Sequence, residues 1–106
     1  MYRILVCDDK ERCRTFLSNE IKDFFLKLNK DYMLDHFSSG DQVLFHYKPG
    51  FYDIAFFDVE MQGTNGIETA KRVRGMDRNV IIIFATAHKD TVFSSFAAEP
   101  LTFLTK

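Results

Sequence analysis

Apolar positions along this chain follow two periods. Ile4-Leu5-Val6-Cys7, Ile54-Ala55-Phe56-Phe57 and Val80-Ile81-Ile82-Ile83-Phe84-Ala85 are apolar at every position, the pattern of parallel strands covered on both faces. Between the first two, Cys13, Phe16, Leu17, Ile21, Phe24 and Leu28 recur at helical spacing, which predicts one long amphipathic helix. Tyr32, Leu34 and His36 alternate with Met33, Asp35 and Phe37, as in a strand near a sheet edge. Ser39-x-x-Gln42 reads as a capping box opening a short helix through Tyr47, and Pro49-Gly50 as a turn. Asn65-x-x-Glu68 is a second helix start, with Gly75 as its stop. A short helix over residues 90–98, Pro100 and a last strand at Leu101 to Leu104 complete the pattern. Strands at 2–7, 32–37, 53–57, 80–85 and 101–104, separated by helices, imply an α/β fold: a doubly wound parallel sheet with right-handed crossovers.

Composition narrows the class. A chain of 106 residues, 46% apolar with twelve Phe, is read as one domain with a well-filled core. A formal net charge of −1 without a dense Lys/Arg cluster points away from direct nucleic-acid or membrane binding. No apolar run approaches the length of a membrane span, and Met1-Tyr2-Arg3 enters a strand at once, leaving no room for a signal peptide. Cys7 and Cys13 are too few for a disulfide framework and wrongly spaced for a redox pair. The expected compartment is the cytoplasm. Because Lys106 directly follows the fifth strand, the expectation is a C-terminally truncated unit, residues 1–106, with its final helix missing. The uncovered edge leaves a route to a homodimer.

The chemistry lies at strand ends. Asp8 and Asp9 follow the first apolar run, Asp58 follows the third strand, Thr86 the fourth and Lys106 the fifth. Ligands bind at the carboxyl ends of strands in open parallel sheets. Three converging carboxylates require a cation, and a hard divalent ion such as Mg²⁺ is the economical one. A carboxylate there can serve as nucleophile toward phosphorus, while a lysine and a threonine hydroxyl can stabilise phosphoryl oxygens. Simpler roles exist for each residue alone. Asp8 with Glu11 can cap a helix, Asp58 can be a turn residue, Thr86 a strand end and Lys106 a solvated cation. A helix cap does not explain a second acid at the end of a neighbouring strand. His36, His46 and His88 lack a partner at ligand spacing and read as surface residues.

Taken in order, Ile4-Leu5-Val6-Cys7-Asp8-Asp9, Phe57-Asp58-Val59-Glu60-Met61 with Asn65-Gly66-Ile67-Glu68, Ile83-Phe84-Ala85-Thr86-Ala87-His88 and Phe103-Leu104-Thr105-Lys106 resemble the receiver domain of two-component response regulators. The resemblance covers nearly the whole chain. It implies a flavodoxin-like strand order 2-1-3-4-5 and Asp58 as acceptor of a phosphoryl group from a sensor histidine kinase. It further implies Mg²⁺ held by Asp8, Asp9, Asp58 and the backbone carbonyl of Glu60, phosphoryl contacts from Thr86 and Lys106, and Phe103 as an aromatic switch. Ala85-Thr86-Ala87-His88 and Glu99-Pro100-Leu101-Thr102-Phe103-Leu104 are most similar to regulators with an attached LytTR-type DNA-binding output domain, expected here beyond the chain. Where the family usually has proline four residues after the acceptor, this chain has Gln62.

Other readings fit less well. A metal-dependent phosphohydrolase with an aspartyl nucleophile would place Asp-x-Asp after the first strand, and 106 residues leave no room for a cap domain. A flavodoxin-like cofactor binder would want a Gly/Ser/Thr-rich phosphate loop where two acids stand. The remaining alternative is a receiver-like binding module that is no longer phosphorylated.

Overall fold

The computed structural model describes residues 1–59, 65–86 and 102–105, the last four and residue 86 by their backbone. Five strands, β1 (Tyr2–Cys7), β2 (Tyr32–Phe37), β3 (Ile54–Asp58), β4 (Ile81–Thr86) and β5 (Thr102–Thr105), form one sheet. Its order is β2-β1-β3-β4-β5, and every pairing is parallel. Among the described residues, three helices, α1 (Glu11–Leu28), α2 (Gly40–His46) and α3 (Gly66–Met76), lie between the strands. The predicted fold class and strand order are therefore those observed, with strand bounds shifted by at most one residue. The helix expected over 90–98 lies outside the described residues.

Among the described residues, α2 and α3 close one sheet face and α1 covers the other in part, and the inner strands are apolar throughout. Leu5, Cys7, Ala55, Phe57, Ile82 and Phe84 point into one core with Val43 and Tyr47 near α2 and Ala70 and Val73 of α3. Ile4 and Val6 point the other way, against Leu17, Ile21 and Phe25 of α1. The phase of α1 differs from the predicted stripe. Phe25 is buried, whereas Phe24 is 57% exposed and Phe16 and Leu28 are also exposed. Leu17, Ile21 and Phe25 stand one turn apart, and α1 sits toward β2, where Phe25 stacks on Tyr32 with ring centroids 5.0 Å apart. Phe24 instead overhangs a groove of about 440 Å³ above Ile54, Phe56, Ile81 and Ile83.

Helix starts follow the predicted chemistry. Ser39 Oγ accepts from the Gln42 N–H at 3.1 Å, and Gln42 Oε1 accepts from the Ser38 N–H at 3.0 Å. Asn65 Oδ1 accepts from the Glu68 N–H at 2.9 Å. The stop of α3 differs from expectation. Gly75 lies inside the last turn, and the helix ends at Asp77, whose N–H donates to the Val73 carbonyl at 2.8 Å. Asp77 turns the chain because its carboxylate collects four donors: the Tyr47 hydroxyl at 2.7 Å and the N–H groups of Gly50, Asn79 and Val80 at 3.0, 3.0 and 3.3 Å. Among the described residues, no helix is long and apolar enough to cross a membrane.

Candidate functional site

Sheet register brings the acids together. Cys7 pairs with Phe57 across β1 and β3, so the next residue on each, Asp8 and Asp58, leaves the sheet at the same level. Asp9 follows on the loop. One carboxylate oxygen from each of Asp8, Asp9 and Asp58 lies within 4.8 Å of the others. Asp8 is fully buried and Asp58 is 4% exposed. Charges at that separation repel by about 3 kcal/mol per pair at an effective dielectric of about 20. The arrangement therefore favours a cation between them.

Hydrogen bonds hold the β1–α1 loop in place. The Asp8 N–H donates to the Phe37 carbonyl at 3.1 Å, Asp8 Oδ1 accepts from the Lys10 N–H at 3.0 Å, and the Asp8 carbonyl accepts from Arg14 Nη1 at 2.6 Å. Lys10 is the N-cap of α1 and makes no side-chain cap bond. The helix-cap role considered for Asp8 is thus not the one it plays: its carboxylate bonds ahead of the helix and faces the other acids. Asp9 Oδ1 is buried without a hydrogen-bond partner among the described residues. Below the cluster, burial pushes the Cys7 thiol up to about 12, and the Asp8, Asp58 and Asp9 carboxylates push in the same direction. Cys7 stays a protonated core residue, which leaves an all-oxygen donor set. Oxygen donors and a buried carboxylate oxygen lacking a partner fit a hard divalent cation such as Mg²⁺.

The far side of the site depends on a backbone contact. The Gly66 N–H donates to the Val59 carbonyl at 3.2 Å. A Cβ on Gly66 would fall 1.8 Å from the Asp58 carbonyl oxygen, so only glycine lets the start of α3 approach the end of β3 this closely. Asn65 caps the helix at that point, and its carbonyl accepts from Thr69 Oγ1 at 2.8 Å.

Arg14 has no role in the sequence reading, and Gly66 enters it only within the motif Asn65-Gly66-Ile67-Glu68. Arg14 stands six residues after Asp8 on the predicted helix, and Gly66 directly follows a predicted cap. Those positions were legible; the contacts they make were not.

Other predicted site residues are described only in part. Thr86 ends β4 one residue beyond Ala85, the register partner of Asp58, and it pairs with Thr105. Phe103 pairs with Phe84. The side chains of Thr86 and Phe103, and all of Glu60 and Lys106, lie outside the described residues.

Comparison with known proteins agrees with this geometry. The family model of the response regulator receiver domain matches residues 4–106. The sensory transduction protein LytT of Bacillus subtilis is 32% identical over 110 residues, covering 100% of this chain, which spans 42% of that relative's length. The crystal structure of response regulator TrrA of Thermotoga maritima, in complex with Mg²⁺-BeF, superposes with a TM-score of 0.82 at 30% identity, covering 100% of this chain and 87% of TrrA. TrrA in complex with the histidine kinase ThkA gives 0.78 at 31% identity, covering 100% and 86%. With its sheet order, its strand-end acids and a family match over nearly its whole length, the chain belongs to the response regulator receiver domain family of two-component systems, related to the LytT and LytR regulators.

Proposed function

We propose that this domain is a phosphoacceptor switch in which Asp58 takes a phosphoryl group from the phosphohistidine of a sensor histidine kinase. The observation that carries this reading is the convergence of Asp8, Asp9 and Asp58 at the ends of adjacent strands. A carboxylate oxygen of Asp58 attacks phosphorus. The new O–P bond forms as the P–N bond to the kinase imidazole breaks, and the imidazole nitrogen keeps the electron pair. Asp8, Asp9, Asp58 and the Glu60 backbone carbonyl hold Mg²⁺, which supplies positive charge beside the phosphoryl oxygens when bound. Thr86 donates its hydroxyl and Lys106 its ammonium to those oxygens. The domain turns over no free substrate, so it is a catalyst only of its own phosphorylation and dephosphorylation.

Phosphorylation adds negative charge at Asp58 that Thr86 and Lys106 offset, and Phe103 turns inward as Thr86 moves. These contacts bias a two-state equilibrium rather than create a new state. The readout passes to an attached output domain, of LytTR type and DNA-binding. The share of the LytT length that this chain spans is compatible with one, and Ala85-Thr86-Ala87-His88 and Glu99-Pro100-Leu101-Thr102-Phe103-Leu104 resemble regulators of that type. The setting is cytoplasmic, where kinase and DNA are both accessible.

Intact-mass analysis after incubation with Mg²⁺ and acetyl phosphate tests the reading. One added phosphoryl group that disappears in Asp58→Asn and under chelation is the expected result. Uptake retained in Asp58→Asn would move the acceptor elsewhere. No uptake by the wild-type domain, even when extended into its output region, would make it a binding module that is not phosphorylated.

A further inference from the structure

Arg14 brings a positive charge to a site built for a cation, which on charge alone is counterproductive. Its guanidinium does not lie idle. Nη1 donates to the Asp8 carbonyl at 2.6 Å in a partly buried contact. That carbonyl belongs to the peptide unit joining Asp8 to Asp9. Because the unit is planar, orienting the carbonyl also orients the N–H and Cα of Asp9, and with them the directions in which both carboxylates leave the backbone. The Asp8 N–H, in the preceding peptide unit, donates to Phe37 on β2. Arg14 therefore ties to α1 the peptide unit that follows the one bonded to the sheet. Among the described residues no hydrogen-bond partner orients the buried Oδ1 of Asp9, which leaves its peptide as the group that sets its direction.

We propose that Arg14 is a positioning residue for divalent-cation binding: by fixing the Asp8–Asp9 peptide it raises the affinity of the acid cluster for a hard cation, despite its own positive charge. The inference rests on the reading that Asp8, Asp9 and Asp58 hold such an ion. Its two effects have opposite signs, which makes it testable. If Arg14 acted through charge alone, removing it would tighten cation binding. If it acts by positioning, removing it weakens binding, and a donor of similar reach restores part of the loss.

The experiment is calorimetric titration of Mg²⁺ into the wild-type chain, Arg14→Ala, Arg14→Lys and Arg14→Gln, with Asp9→Asn as a site control and melting curves of the metal-free proteins. Arg14→Ala is expected to bind Mg²⁺ about 10-fold more weakly, the usual scale for losing a group that orients a metal ligand. Arg14→Lys and Arg14→Gln, which keep a donor, should fall between Ala and wild type; they also carry the test if Arg14→Ala does not fold. Equal or tighter Mg²⁺ binding in the variants, with wild type binding normally, would overturn the positioning role. A lower melting temperature with unchanged affinity of the folded protein would assign Arg14 to folding alone and overturn it too. If wild type takes up no Mg²⁺, or Asp9→Asn binds as well as wild type, the cation site itself is wrong and this inference falls with it.

Discussion

One buried aspartate at one end of this sheet and a cluster of three, two of them buried, at the other stand in opposite surroundings. At the start of β4, Asp77 is 5% exposed and its two oxygens accept four hydrogen bonds from the chain. Burial alone would raise its pKa, but the Tyr47 hydroxyl and the N–H groups of Gly50, Asn79 and Val80 hold it below the ordinary carboxylate range. The same contact helps to keep Tyr47, already pushed up by burial, protonated. At the other end, Asp8, Asp9 and Asp58 face one another, and among the described residues one Asp9 oxygen lacks a hydrogen-bond partner. An acid supplied with internal donors is a structural knot. Acids turned toward each other repel, and the arrangement favours a cation between them. Burial does not distinguish the two cases; the origin of the balancing charge does.

The acid cluster stands on a tighter backbone contact than the knot does, and Gly66→Ala attacks that contact alone. With its Cβ aimed at the Asp58 carbonyl oxygen, the variant must displace the start of α3 or the end of β3. A loss of about 3 kcal/mol is expected, at the upper end for overpacking, together with weakened Mg²⁺ binding. Urea unfolding and a Mg²⁺ titration check both. Full stability and affinity in Gly66→Ala would show that the close approach is not needed.

Neutralising one acid at each end sharpens the contrast, because the signs should differ. Asp77→Asn loses charge-assisted hydrogen bonds and should cost about 2 kcal/mol, or roughly 10 °C in melting temperature for a domain of this size. Asp58→Asn, without divalent ion, removes repulsion from Asp8 and Asp9 and should raise the melting temperature. Thermal melts in chelator measure the pair. A stabilising Asp77→Asn, or a destabilising Asp58→Asn, would break the distinction.

Acid titration gives the smallest effect. Asp77 has a folded-state pKa below its ordinary value of 3.8, so its contribution is complete above that pH and is lost as pH falls through the folded value. The wild-type chain should therefore lose stability more steeply below pH 3.8 than Asp77→Asn does, as seen in chemical denaturation at stepped pH. Parallel slopes would mean that Asp77 is not held ionised by its donors.

How much of this was legible in the chain depends on the range of the interaction. Strand runs, the long helix and both side-chain caps were readable because period and capping are local: Ser39 with Gln42, and Asn65 with Glu68, stand three residues apart. Glycine is the common helix stop and points to Gly75, whereas Asp77 ends α3 with a hydrogen bond from Tyr47, thirty residues away in sequence. Phe24 was preferred to Phe25 because a helical stripe has a width, and only the seat of α1 beside Tyr32 selects its edge.

By itself the sequence determined the alternation of strands and helices, the apolar filling of both sheet faces and the placement of Asp8, Asp9 and Asp58 at strand ends, since each follows from neighbouring side chains. Tertiary structure alone decided that Cys7 stands beside Phe57, so that two strand-end acids meet, that Arg14 reaches the Asp8 carbonyl and that Gly66 touches the back of Asp58. Register and close approach depend on how separate elements pack, and that packing is a property of the whole fold rather than of any one segment.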